Sequence, residues 1–294
     1  MPTIKENKAE WDGEYNWTNR GDEWSAAWGG PSMQWNGTIL PRIQSYVPTN
    51  RILEIGCGYG RWTQYLKDLC KNLIVIDISE ECIQASKQRF SECSHIEYHV
   101  NDGKSLDMIS ESSVDFVFSF DSLVHADESV MRAYLCQFKR ILTNDGAAFI
   151  HHSNLGEYHS RFSIIRGIPM LERLLTLLVN LETSLHLRDF SVDAKKVETL
   201  AEEYGLQCIS QEIIPWGTRR MFIDCMSTIV KKTSSLASDN RILRNARFMQ
   251  EAQNLLELSK LQKTHPQPSP SRGGTKGGDV SIFGNDEGKR SLPE

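Results

Sequence analysis

Between residues 51 and 152 the chain alternates short apolar runs with amphipathic stretches. RILEI (51–55) predicts a strand, and WTQYLKDLC (62–70) predicts a helix with Trp62, Leu66 and Leu69 on one face. NLIVIDI (72–78) is a continuous apolar run, the pattern of a strand covered on both faces. Ser79 is a good N-cap, and Glu80 and Glu81 follow it in the first turn, so 79–90 reads as a helix. HIEYHV (95–100) and VDFVFSF (114–120) read as the third and fourth strands. Residues 129–142 form a helix pattern in which Val130, Tyr134, Phe138 and Leu142 recur. Asn144-Asp145-Gly146 then turns the chain into a fifth strand, AAFIHH (147–152). Strand and helix alternating in this way predict an α/β fold, an open parallel sheet with helices on both faces. Right-handed crossovers put all the strand C-termini on one edge, where such sheets bind ligands.

The flanks differ from this centre. Residues 1–48 hold five of the seven tryptophans (Trp11, Trp17, Trp24, Trp28 and Trp35) and form an arm with a short helix over 33–46, despite Pro41. These rings either anchor the arm or roof a substrate pocket; for a single ring, packing is the commoner role. Residues 155–190 are too long for a simple connection and predict a helical insertion inside a domain spanning 49–232. A helix over 193–204, capped by Gly205, precedes strands over 206–214 and 220–231, with Pro215, Trp216 and Gly217 in the turn between them. Within 233–263 a helix is expected over 238–261, with Ile242, Ala246, Met249 and Leu256 on a stripe that packs on the domain or on a partner, which leaves a homodimer open. The tail, 264–294, is rich in Pro, Gly and Ser and is expected to be disordered.

Composition narrows the possibilities. The 294 residues carry a net charge of -5 with scattered Lys and Arg, so the basic footprint of a nucleic-acid binder is missing. No apolar run approaches bilayer length, and the N-terminus lacks the apolar core of a signal peptide; a cytoplasmic protein without a membrane span is the expectation. The seven cysteines are odd in number and contain no C-x-x-C pair, against a disulfide framework or a structural zinc site.

The chemistry concentrates at Gly56-Cys57-Gly58-Tyr59-Gly60-Arg61. A dinucleotide fingerprint would need its third glycine where Arg61 stands, and no G-K-S or G-K-T follows for a phosphate loop. The glycines still imply close backbone approach to a ligand, with a helix N-terminus behind them that favours a carboxylate. Glu54 precedes the turn. Asp77 ends the second strand, where an acid accepts hydrogen bonds from ribose hydroxyls. Asn101-Asp102 follows the third strand, where an acid could hold an adenine amino group. The implied ligand has a ribose, an adenine and a carboxylate, but no pyrophosphate. A dehydrogenase reading also fails because no tyrosine has a lysine four residues later.

E-x-G-x-G-x-G after the first strand, an acid ending the second and N-D after the third resemble the class I S-adenosylmethionine-dependent methyltransferases. The resemblance is good over 51–152. It implies a Rossmann-like, doubly wound seven-stranded sheet, mostly parallel with an antiparallel last strand. It also implies S-adenosylmethionine as cofactor, with Glu54, Gly56, Gly58 and Gly60 along its methionine and sugar part, Asp77 at the ribose, and Asp102 with Gly103 at the adenine. SFDSLVHAD after the fourth strand is similar to the small-molecule branch, which places Ser119, Asp121 and His125 near the methionine end; His125 could equally be structural. An alcohol or amine acceptor loses a proton, so a base helps. The candidates are His125, His151 and His152, and strand alternation lets at most one of the last two face the pocket. Asn154 shares the parity of His152 and could orient a substrate hydroxyl. Asp121 and these histidines are also metal-ligand types, but no clear acid pair stands at the strand ends, and a hydrogen-bonded polar site without metal is the expectation. The arm and the insertion would supply the acceptor site. Tryptophans with Asp12, Asn16, Arg20 and Asp22 among them suit a small hydroxylated molecule, such as a carbohydrate, methylated on oxygen. A lipid or amine acceptor and a non-catalytic scaffold are the alternatives.

Overall fold

The structure is a computed structural model that describes residues 3–160, 188–217 and 221–264. The strands are β1 (Thr49–Ile55), β2 (Cys70–Asp77), β3 (Ile96–Val100), β4 (Val114–Ser119), β5 (Leu142–Ser153), β6 (Leu206–Ile214), β7 (Asp224–Lys231) and β8 (Arg241–Arg244). They form one sheet in the order β3-β2-β1-β4-β5-β7-β6-β8. β7 runs antiparallel to both neighbours, and every other pairing is parallel. The order reverses between β1 and β4, the position where open sheets of this kind take their ligands.

Strand side chains alternate between two cores. Leu53, Ile55, Ile74 and Val117 face helices α1 (Glu128–Ile141) and α2 (Ala194–Glu203), meeting Tyr134, Phe138 and Leu200. Ile52, Leu73, Phe116 and Phe118 face the other way, against Trp28, Trp35, Ile39 and Phe248. The arm and the last helix, α3 (Phe248–Thr264), therefore close the second core. Arg42 ties them together, pairing with Glu212 on β6 at 2.7 Å and with Glu251 at 3.1 Å. The arm helix expected over 33–46 runs instead through Pro31–Gln34, Trp35–Ile39 and Leu40–Ile43. Its middle turn widens to i+5 bonding immediately before Pro41, which lacks an N–H and crowds the preceding turn of a regular helix.

Three expectations are corrected. The helix over 62–70 shrinks to Thr63–Leu66 and a tighter turn over Lys67–Leu69, because Cys70 already belongs to β2. The seven-stranded sheet has an eighth strand. Residues 241–244, read as the start of a helix, pair with β6, whose outer edge offers unpaired backbone groups. Asn240 bridges Glu198 and Gln211, while Asn245 bonds Glu212 and Glu251; together they bracket the strand. Ile242, assigned to a buried helical stripe, is 58% exposed. Most of the expected insertion (161–187), residues 218–220, which include the start of the strand expected over 220–231, and the tail from 265 lie outside the described residues. Among the described residues no helix is long and apolar enough to cross a membrane.

Candidate functional site

The glycine turn lies where β1 ends, and a cleft opens beside it. Gly56 (φ +74) could carry no side chain, since a Cβ would lie 1.9 Å from Ser122 Oγ. Gly58 donates its N–H to Asp77 Oδ2 at 2.9 Å, and Ser79 N–H reaches the other oxygen at 2.9 Å. Burial raises the Asp77 pKa, and these backbone donors offset it only in part. Gly56, Gly58, Asp77, Asn101 and Gly103 all line the cleft.

Other sequence candidates fall elsewhere. Gly60 packs beneath Phe90 and is not a lining residue. Ser119 is buried and ties β4 to β1 through the Ile55 carbonyl at 3.0 Å. Glu54 is buried against Thr63 Oγ1 at 2.6 Å, and burial raises its pKa to about 8. Asp102 is corrected: its exposed carboxylate accepts the N–H groups of Lys104 and Ser105 at 2.9 and 2.6 Å, closing its own loop, and Asn101 rather than Asp102 faces the cleft. Short acidic side chains compete for local backbone donors in this way.

The arm divides its tryptophans between both roles. Trp28 and Trp35 are buried in the core, while Trp11, Trp17 and Trp24 line the cleft. Trp17 stacks on Tyr59 at 4.5 Å, and Tyr15 joins the three rings in one cluster. The titratable carboxylates lining the cleft are Asp77, Asp121 and Asp127, and none of the described lining residues is Lys or Arg.

Past β4, β5 and β7 a buried chain of charges runs away from the cleft. Arg61, lying 4.4 Å over the Trp62 ring and 5.1 Å over Trp24, pairs with Asp121 at 2.6 Å. His151 Nδ1 is 3.2 Å from Asp121 Oδ1, and its Nε2 is 3.3 Å from Asp224 Oδ2. Arg188 grips Asp224 through two bonds of 2.6 and 2.7 Å. Burial alone would raise both aspartates; the Arg61 and Arg188 charges overcome it and hold them below the usual carboxylate range. Burial would likewise lower the His151 pKa, but Asp121 and Asp224 raise it. The sequence reading missed Arg61, Asp224 and Arg188. A lone acid opening the apolar run of β7, opposite the end of β5, was the available signal.

The three histidines separate. His125 lines the cleft, with its ring 5.7 Å from Trp11. His151 stands behind Asp121. His152 is corrected as a base: it points to the other face, its ring nitrogens 2.8 Å from the Ser153 carbonyl and 2.8 Å from Ser227 Oγ, and burial lowers its pKa to about 4. Asn154 is likewise structural, accepting Ala194 N–H at 2.9 Å and donating to the Phe222 carbonyl at 2.8 Å. Among the described residues no group of three His, Cys, Asp or Glu is placed to hold a metal ion.

Residues 52–146 match the family model described as a methyltransferase domain. That segment, which carries β1 to β4 and the glycine turn, is a methyltransferase domain. Among curated proteins, Nodulation protein S of Sinorhizobium fredii is 42% identical over 55 residues, 19% of this chain and 26% of that protein. Nodulation protein S of Rhizobium tropici is 30% identical over 100 residues, 34% of this chain and 41% of that protein. The chain thus spans well under half the length of these relatives. The solved N-methyltransferase NodS from Bradyrhizobium japonicum WM9, in complex with S-adenosyl-L-homocysteine, superposes with a TM-score of 0.51 at 19% identity, over 79% of this chain and 99% of that one, a likeness of fold.

Proposed function

We propose that the chain transfers the methyl group of S-adenosylmethionine to a nitrogen of a small, polar, amine-bearing molecule. The observation that carries this reading is the make-up of the cleft: three carboxylates, a tryptophan roof and no Lys or Arg among its described lining residues. The residues fit the cofactor. Asp77 offers a carboxylate to ribose hydroxyls, Asn101 and Gly103 flank the adenine end, and Gly56 and Gly58 let the methionine part approach the backbone. Bound there, S-adenosylmethionine supplies an electrophilic methyl carbon on a positively charged sulfur. Carboxylates and aromatic faces favour that charge and the charge of an amine. The protein's share of the work is then to align the nucleophile in line with the methyl group and to exclude water, which can supply much of the acceleration. His125 lines the cleft, which supports a role in taking a proton from the acceptor.

The similarity to Nodulation protein S supports nitrogen, since the solved relative of that name is called an N-methyltransferase. The second reading is an oxygen of a sugar or other hydroxylated metabolite, favoured by Trp11 and Trp24 as stacking surfaces at the cleft. Labelled methyl transfer to paired acceptors, glucosamine against glucose and ethanolamine against ethylene glycol, separates the two. Product from the amines alone supports nitrogen, and product from the alcohols alone overturns it. Cofactor binding with no product from any acceptor favours a scaffold.

A further inference from the structure

Asp121 stands where the cleft and the buried chain of charges meet. Its backbone is left-handed (φ 62), a conformation uncommon outside glycine and one that clusters at functional sites. Its carboxylate is fixed from two sides, by Arg61 at 2.6 Å on Oδ2 and by His151 Nδ1 at 3.2 Å from Oδ1. A carboxylate offers about four lone-pair sites. These two partners leave acceptor capacity on a group that lines the cleft.

The ring behind it has two arrangements. A neutral His151 would accept the Asp121 backbone N–H on Nδ1 at 3.3 Å, but would then set that lone pair against Asp121 Oδ1. A protonated ring sets an N–H beside a carboxylate on each side, Asp121 at 3.2 Å and Asp224 at 3.3 Å, although in the geometry shown Nε2 completes no hydrogen bond. Carboxylates on both sides select the second. The charged and titratable groups facing His151 among the described residues are Asp121 after β4, Arg61 from the glycine turn, Asp224 on β7, Arg188 ahead of α2, and the neighbouring His152 on β5.

We infer that Asp121 is the carboxylate that receives the hydrogen-bond donor of the methyl acceptor, an N–H or O–H group. His151, held between Asp121 and Asp224, is the positioning residue that keeps Asp121 ionised and aimed. The inference rests on the methyl-transfer reading. It names the side chain that would turn the acceptor, with the buried charges acting only through it.

Two measurements on the full chain test it. In nitrogen-15-labelled protein the His151 ring signals, assigned by their loss in His151→Gln, should show both nitrogens protonated at about pH 7.5, above the ordinary imidazole pKa of about 6.5. A neutral ring at about pH 6 overturns the inference. In the second, protein saturated with S-adenosylhomocysteine is titrated with ethanolamine and glucosamine. Asp121→Asn should lower amine affinity about tenfold or more and His151→Gln somewhat less, with S-adenosylhomocysteine affinity changed by less than about threefold. Equal amine affinity in Asp121→Asn and wild type overturns the inference, as does wild type taking up neither amine. Failure of the wild type to bind S-adenosylhomocysteine would instead sink the methyl-transfer reading.

Discussion

Beyond β1, β2 and β3 the strand ends present mostly backbone and short polar groups: glycines at positive φ, Asp77 held by two N–H groups, and Asn101. Beyond β4, β5 and β7 they present side-chain charge, Asp121, His151 and Asp224, closed at its ends by Arg61 from the glycine turn and Arg188 ahead of α2. The first half is a mould, in which missing Cβ atoms make room for a ligand. The second is a clamp, whose members are costly to bury and hold one another in place. A mould can be read from local sequence, whereas a clamp depends on residues that only the fold brings together. The difference also says what each half does when damaged: the mould should lose ligand, the clamp should lose stability.

The largest expected effect is in the clamp. Asp224→Asn leaves the Arg188 charge buried beside a neutral amide, which should cost about 3–5 kcal/mol in a denaturant titration. Affinity for S-adenosylmethionine in the folded fraction should barely change. A loss of cofactor affinity with stability intact would break the division.

The second effect is pH dependence, to which two buried groups, His152 and Glu54, contribute with opposite sign. His152, lowered to about 4, leaves the native state short of a proton that the unfolded chain binds below about 6.5, so its contribution is lost as pH falls from 6.5 towards 4. Glu54, raised to about 8, keeps a proton that the unfolded chain releases above about 4.5, so its contribution is lost as pH rises from 4.5 to 8. The two nearly cancel between about pH 4.5 and 6.5 and leave a loss of about 2 kcal/mol from 6.5 to 8. Glu54→Gln should remove the Glu54 share of that alkaline loss, leaving the share of His151, whose raised pKa also costs stability as pH rises above about 6.5, and expose the acid-side loss of about 3 kcal/mol from His152. Parallel pH profiles of unfolding for wild type and variant check both signs.

In the mould, Asp77→Ala should weaken S-adenosylmethionine binding about tenfold to a hundredfold, the worth of hydrogen bonds to a charged group. The smallest effect is at Asp102, whose carboxylate closes its own loop. Asp102→Ala should change cofactor affinity less than about threefold by calorimetry. A loss as large as that of Asp77→Ala would return Asp102 to the cofactor site.

The mould was legible because strand, turn and acid follow one another at short spacing. Gly56, Gly58 and Asp77 arrive at the cleft together, in the sheet order that alternation implies. Asp102 misled because an acid after a strand looks the same whether it meets a ligand or its own loop. The clamp was half legible. Asp121 and His151 were named, but Arg61 was noticed only as the residue standing where a third glycine would be. Its partner is 60 residues away, and Asp224 and Arg188 lie 36 apart. β8 was misread because Ile242, Ala246 and Met249 do recur at helical spacing. Only the open edge of β6 explains why the first of them is a strand residue.

The central claim is that the glycine turn and Asp77 form a methyl-donor site and not a dinucleotide site. A calorimetric titration of the full chain with S-adenosylmethionine, S-adenosylhomocysteine and NAD tests it most directly. Saturable binding of the first two, weakened by Asp77→Ala, and none of NAD is the expected result. Saturable binding of NAD with neither methionine derivative bound would contradict it.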